Sequence, residues 1–247
     1  MNRWSRYLLL NFFRALFNKT SFVTQCNDSY YLSRPRTLDM AIVWEVCFKK
    51  CYLPSFKEIN KKRVKNVVDL GANIGIFTLW ASKIFNPKII YAVEPEQENF
   101  NLLTQCIELN KLKGVTAIKK AIYKRNEKVG FEKKGLNRAM HKIKEGDNNL
   151  LVRGVTFKKL ISENGIKNID YLKIDIEGSE RYVLTLENAP FIKKRVKYIN
   201  VEIHKTIKYN ESHVISYLES LGFKCRIFKI WWYRKVVQVE ALNRKFF

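Results

Sequence analysis

From residue 64 onward, short apolar runs alternate with stretches of helical spacing, and that alternation limits what the chain can fold into. Val64–Leu70 reads as a buried strand closed by Asp69 and Gly71. Ile76–Phe85 has helical spacing and stops before Asn86-Pro87, Lys88–Val93 is the next strand, and Glu96–Asn110 the next helix. Val115–Lys119 reads as a third strand, and Tyr171–Asp175 (strand), Arg181–Leu186 (helix), Lys197–Ile203 (strand) and Val214–Leu221 (helix) continue the series. Phe223–Ile230 and Val236–Leu242 look like two strands joined through Trp231–Arg234. Strands separated by helices pair in parallel through right-handed crossovers. The expected fold is therefore α/β, a doubly wound, mostly parallel sheet with a C-terminal antiparallel hairpin.

Two further regions interrupt or precede this series. Residues 121–158 are polar and basic, broken by Gly130, Gly135, Gly146 and Gly154, and are expected to form short hairpins and loops. Residues 1–60 are expected to be an N-terminal helical extension, with helices at roughly 4–17 and 37–51, before the main domain over 61–247. The first of these helices places Arg3, Asn11, Arg14 and Asn18 near one face, opposite a wide Leu/Phe face. It fits either an interfacial anchor or a cap packed on the domain. No segment reaches the ~20 apolar residues that span a bilayer.

Composition bounds the class. With 46 Lys and Arg against 23 Asp and Glu, the net charge is +23, which attracts nucleic acid, an anionic membrane surface or acidic substrates, or reflects solubility alone. The 47% apolar fraction supports a packed core and excludes a disordered polycation. Cys26, Cys47, Cys51, Cys106 and Cys225 are odd in number and form no C-x-x-C pair, which excludes a disulfide framework and the common zinc patterns. A cytoplasmic protein is expected, peripheral on a membrane if residues 1–20 serve as an anchor.

The chemistry lies in two strand ends. Val67-Val68-Asp69-Leu70-Gly71-Ala72-Asn73-Ile74-Gly75 delivers a carboxylate and then two glycines four apart. Gly71 and Gly75 lack a Cβ, so a ligand can approach the turn's backbone. The spacing is not G-x-G-x-x-G and there is no G-x-x-x-x-G-K-[ST], which disfavours dinucleotides and phosphate loops. Asp69 suits a cationic ligand instead. Glu94, 19 residues beyond Gly75, ends the next strand, where an acidic side chain accepts hydrogen bonds from ribose hydroxyls. A ribose and a cationic amino-acid end describe S-adenosylmethionine.

Residues 64–110 thus resemble the front half of a class I, Rossmann-like methyltransferase. Lys173-Ile174-Asp175-Ile176-Glu177-Gly178-Ser179-Glu180 resembles the K-I-D-x-E-G-x-E signature of the FkbM family. Asn200-Val201-Glu202-Ile203-His204 resembles its E-x-H strand, and Thr37-Leu38-Asp39 with Glu45 and Tyr52 its lead-in helix. The similarity runs over roughly residues 36–242. It implies that Asp69, Gly71, Asn73, Gly75 and Glu94 bind S-adenosylmethionine, with Asp175 near the cofactor, and that the enzyme methylates a hydroxyl of a small molecule or glycan.

For a hydroxyl acceptor a proton must leave, and His204, Glu177 and Glu202 are the catalytic candidates, with His204 or Glu177 as the acceptor of that proton. Blander duties compete: Glu177 as a helix cap, Glu202 in an ion pair, His204 as a satisfied strand-end histidine. Asp175, Glu177 and Glu202 also suit Mg²⁺, but their other duties argue against it and no metal is expected. Trp231, Trp232 and Tyr233 suit stacking on a substrate ring or packing in a core. Two other functions compete with the leading one: methyl transfer to RNA or another polyanion, and a cofactor-binding module without turnover.

Overall fold

The structure, a computed structural model, describes residues 21–26, 28–35, 37–133, 141–143, 151–206, 209–228 and 236–247. The helix expected at 4–17 and the aromatic cluster Trp231–Tyr233 lie outside the described residues.

The chain opens with a hairpin, β1 (Phe22–Cys26) and β2 (Ser29–Ser33), then α1 (Asp39–Cys47). Among the described residues of the expected helical extension, 22–26 and 29–33 are strands rather than helix. Tyr31 and Tyr30 alternate between buried and exposed, the period of a half-buried strand. After a short 3₁₀ turn come β3 (Asn66–Leu70), α2 (Ile76–Phe85), β4 (Ile89–Val93), α3 (Gln97–Leu109) and β5 (Val115–Ile118). Residues 121–155 build a four-stranded sheet from β6 (Ala121–Ile122), β7 (Lys128–Lys133), β8 (His141–Ile143) and β9 (Leu151–Val155), as the glycine-broken pattern predicts.

Helix α4 (Phe157–Glu163) follows directly, where no helix is expected from the sequence pattern. Its start is fixed by Thr156, whose side chain accepts a hydrogen bond from the Lys159 amide at 3.2 Å. The second half holds β10 (Ile169–Ile174), α5 (Ala189–Arg195), β11 (Val196–His204), α6 (Glu211–Ser220), β12 (Phe223–Phe228) and β13 (Val236–Asn243). The crossover helix expected at Arg181–Leu186 is displaced to α5. Glu180 turns its side chain back to the Gly178 amide at 3.0 Å, leaving a single 3₁₀ turn at Glu180–Tyr182, and Pro190 starts the helix later.

Seven strands form the main sheet in the order β12-β13-β11-β10-β3-β4-β5. The five from β11 to β5 are parallel; β13 runs antiparallel to both β11 and β12. The expected terminal hairpin is present, with its second strand inserted inside its first. Both faces of β3 are covered, so Val67, Val68, Asp69 and Leu70 are all fully buried. One face packs Val68, Leu70, Leu172, Ile174, Ile199 and Val201 into a single aliphatic core. The other carries aromatic residues, with the Tyr171 ring tilted against Tyr198 and Phe77 at centroid distances of 4.8 and 5.5 Å. Tyr31, Val43, Tyr52 and Phe56 belong to that second core, so the segment before β3 is packed onto the sheet. This face therefore brings Tyr52 to the end of β10.

Candidate active site

Strands β3, β4, β10 and β11 all point their carboxyl ends the same way, and Leu70 aligns with Val93 on one side and with Ile174 on the other. The residues just past those ends gather at one edge of the sheet, the side on which open parallel sheets bind ligands in a cleft.

The turn after β3 is held by the chain itself. Gly71 and Ala72 donate to the Val93 carbonyl at 3.0 and 2.9 Å. Gly71 has φ +81°, and a Cβ there would stand 1.7 Å from the Asp175 carbonyl oxygen; a Cβ on Gly75, φ +90°, would stand 2.8 Å from Leu103 Cδ1. Both glycines are therefore required by the approach of neighbouring chain segments, not by the room for a ligand that the motif suggests. Asn73 takes φ +52°, a conformation its short polar side chain tolerates.

Asp69 also differs from expectation. It is completely buried, accepts a hydrogen bond from Thr78 Oγ1 at 2.6 Å and pairs with Lys173 Nζ at 3.1 Å. Its charge is answered by Lys173, so it braces the turn and does not wait for a cationic ligand. Lys173 also donates to the Gly71 carbonyl at 2.8 Å and lies 3.5 Å from Asp175 Oδ2. Burial works against the Lys173 ammonium, but Asp69 and Asp175 outweigh it and hold its pKa above the usual value. The signal for this residue was a lysine inside the apolar run Tyr171–Ile174, where an unpaired cation has no place.

Glu94 sits where a ribose-binding acid is expected. Its two oxygens accept the amides of Asn73 and Glu96, each at 2.9 Å. Burial lifts its pKa to about 7 against the pull of those hydrogen bonds. Asn99 Nδ2 lies 3.4 Å from Glu94 and Asn99 Oδ1 accepts from Arg34, which is itself paired with Asp39 at 3.0 Å. The N-terminal segment thus reaches Glu94 through three buried polar side chains.

The ends of β10 and β11 bring Asp175, Glu177, Glu202 and His204 together. Tyr52 Oη lies between two of them, 3.3 Å from Asp175 Oδ2 and 3.5 Å from Glu202 Oε2. Burial first, then the neighbouring Asp175, pushes Glu202 well above the ordinary carboxylate range. His204 lies between Glu180, with Nδ1 2.8 Å from Oε1, and Glu177, with Nε2 3.2 Å from Oε2. Burial by itself lowers an imidazole pKa, but these two carboxylates override it and raise His204 to about 11. At neutral pH His204 therefore carries its proton already. The expectation of a base titrating near ~6.5 does not hold, because a second carboxylate, Glu180, stands on the ring's other nitrogen. Glu180 and Tyr52 are site residues whose roles the strand-end pattern alone did not assign.

Residues 69–225 match the family described as the methyltransferase FkbM domain. The chain belongs to the FkbM methyltransferase family. The cofactor of this FkbM methyltransferase is S-adenosylmethionine, and the cleft has groups that fit it. Asn73 Oδ1 is buried at the turn without a hydrogen-bond partner, and each Glu94 oxygen retains acceptor capacity beyond its amide.

Among curated proteins, 52 residues are 42% identical to the tRNA(Phe) (4-demethylwyosine(37)-C(7)) aminocarboxypropyltransferase of Methanocaldococcus jannaschii. That match spans 21% of this chain and 21% of that protein. Among solved structures, the precorrin-6y C5,15-methyltransferase of Geobacter metallireducens aligns with a TM-score of 0.46 and 13% identity, over 74% of this chain and 84% of that one. TYW2 of M. jannaschii, solved with AdoMet, aligns with a TM-score of 0.43 and 16% identity, over 91% and 86% of the two chains. Among the described residues, no helix is long and apolar enough to cross a membrane.

Proposed function

We propose that this FkbM methyltransferase methylates the oxygen of an uncharged hydroxyl, on a small molecule or a glycan. The observation that carries the reading is the cluster Asp175, Glu177, Glu202 and His204 at adjacent strand ends, in a cleft whose cofactor side is marked by Asn73 and Glu94. S-adenosylmethionine supplies a methyl group on a sulfonium, an electrophile that needs no further activation. What remains for the protein is to hold donor and acceptor in line and to take the acceptor's proton as the new bond forms. Glu94 would hold the ribose hydroxyls, and Asn73 and Asp175 the neighbouring polar groups. Asp69, Gly71 and Gly75 act through the shape of the turn. Glu177, 16% exposed, faces the cleft and is the proton acceptor in this reading. His204 holds that carboxylate in place, and Glu202 stands beside Asp175 across the Tyr52 hydroxyl. Clustered carboxylates favour a neutral acceptor over one flanked by phosphates.

The net charge of +23 supports a second reading, methyl transfer to RNA. One experiment separates them: the protein is given methyl-labelled S-adenosylmethionine with neutral oligosaccharides and hydroxylated metabolites, and in parallel with total RNA, at low and moderate salt. Label in the neutral fraction, little changed by salt and lost in Glu177→Gln, supports the proposal. Label confined to RNA, falling steeply with salt, overturns it.

A further inference from the structure

We propose that Asp175, Glu177 and His204 bind one divalent metal ion, beside the cofactor contacts at Asn73 and Glu94 and sharing Asp175 with them. One donor atom from each of the three lies within 4.8 Å of the others. Donors sharing an ion at ~2.0–2.2 Å stand closer than that, so the site tightens on loading by small rotations of the carboxylates. Those are the side chains with room to move, 26% exposed for Asp175 and 16% for Glu177.

The histidine distinguishes this arrangement from a simple group of acids. His204 is 9% exposed, and its ring is aimed by Glu180, whose Oε1 meets Nδ1 at 2.8 Å. Glu180 is itself completely buried and anchored on the Gly178 amide at 3.0 Å. A buried carboxylate on one ring nitrogen is the usual outer support of a metal-binding histidine, fixing the ring so that the other nitrogen faces the ion. Here Nε2 faces Asp175 and Glu177. Glu177 Oε2, 3.2 Å away, is buried and pairs with the protonated ring, so the two already meet where the ion would sit. Charge points the same way: five acids, Asp69, Asp175, Glu177, Glu180 and Glu202, stand against two cations, Lys173, shared between Asp69 at 3.1 Å and Asp175 at 3.5 Å, and His204. One imidazole with two carboxylates suits Mn²⁺ or Zn²⁺ better than Mg²⁺. The ion takes the place of the Nε2 proton.

The ion's role rests on the hydroxyl-acceptor reading. An acceptor oxygen on an open coordination position would give up its proton more easily, to the Glu177 oxygen that does not bind the ion, because the cation stabilises the oxyanion left behind. The site's existence does not rest on that reading and is tested without an acceptor. The full chain, stripped with a chelator, is titrated with Mn²⁺ followed by electron paramagnetic resonance and with Zn²⁺ followed by calorimetry. One equivalent of either metal should bind, with affinity reduced at least tenfold in Glu177→Gln and in His204→Gln. Since His204 is buried and its variant is at risk of misfolding, Glu177→Gln decides, with its melting temperature in the absence of metal as the check on folding. No saturable uptake of either metal, or equal affinity in a folded Glu177→Gln, overturns the proposal. S-adenosylmethionine titrated into the same stripped protein separates the two readings. Cofactor binding without metal uptake removes the metal site alone, and metal uptake without cofactor binding upholds it while removing the cleft's assigned use.

Discussion

Lys173 and Asp69 are direct neighbours across β10 and β3, and their side chains meet at 3.1 Å with 4% and 0% exposure. The pair joins the glycine turn to the strand that carries Asp175, so the cofactor side and the acceptor side of the cleft share one buried ionic contact. Removing one partner leaves the other charged in an apolar setting. Lys173→Met should therefore destabilise the fold by about 3–5 kcal/mol in urea unfolding. Adding Asp69→Asn to that variant should recover part of the loss, and a purely additive double mutant would show that the two do not interact.

With Glu94 as the proposed ribose contact, cofactor affinity should depend on pH. Its carboxyl is raised to about 7 in the folded chain, above the 4.5 of a free glutamate. The folded state thus holds the extra proton between these values. The stability that this group contributes is full below about 4.5 and declines as pH rises through about 7. Ribose hydroxyls donate to the ionised form, so binding runs the opposite way. S-adenosylmethionine affinity measured by calorimetry should rise about tenfold from pH 6 to pH 8, and Glu94→Gln should be weaker and flat over the same range.

Tyr52 supplies the one hydroxyl found between Asp175 and Glu202 among the described residues. Tyr52→Phe keeps the ring, which meets Phe77 edge-on at 5.1 Å, and removes the bridge. The two acids then face each other without a shared donor. We expect kcat to fall by about tenfold, equivalent to ~1.4 kcal/mol, with the melting temperature within a few degrees of wild type. Unchanged kcat would make Tyr52 a packing residue only.

Gly71 and Gly178 separate backbone strain from collision. At Gly71 a methyl group meets the Asp175 carbonyl, whereas at Gly178, φ +96°, nothing lies within 4 Å. Gly178→Ala should cost about 1–3 kcal/mol from the left-handed backbone alone. Gly71→Ala must in addition push β10 away from β3. It should fail to fold or unfold with a loss well beyond that range, as measured by circular dichroism against denaturant.

The sheet was legible because buried parallel strands leave near-continuous apolar runs: Ile89–Val93 is unbroken, and Val67–Leu70 and Ile199–Val201 are broken only by the buried Asp69 and Asn200. The strand-end polar residues were legible too, since the acids Asp69, Glu94 and Asp175 and the base His204 each stand at the end of a run that the sheet buries. The β1–β2 hairpin was not, because Val23 and Tyr30 on its outer face are exposed and the inner residues gain their burial from α1 and α3, distant in the chain. Helix α5 was misplaced because Glu180, a good helix former in isolation, spends its side chain on the Gly178 amide and His204.

By itself the amino-acid order determined the α/β architecture, the family and which acids stand at strand ends, because these follow from the period of apolar residues and from local turn chemistry. Only the tertiary structure decided how each acid is used. The protonation of His204, the buried pairing of Asp69 with Lys173 and the bridge from Tyr52 to Asp175 and Glu202 all join residues 24 to 150 positions apart. A charge's worth is set by the dielectric and by the partner opposite it, and neither exists until the strands have paired.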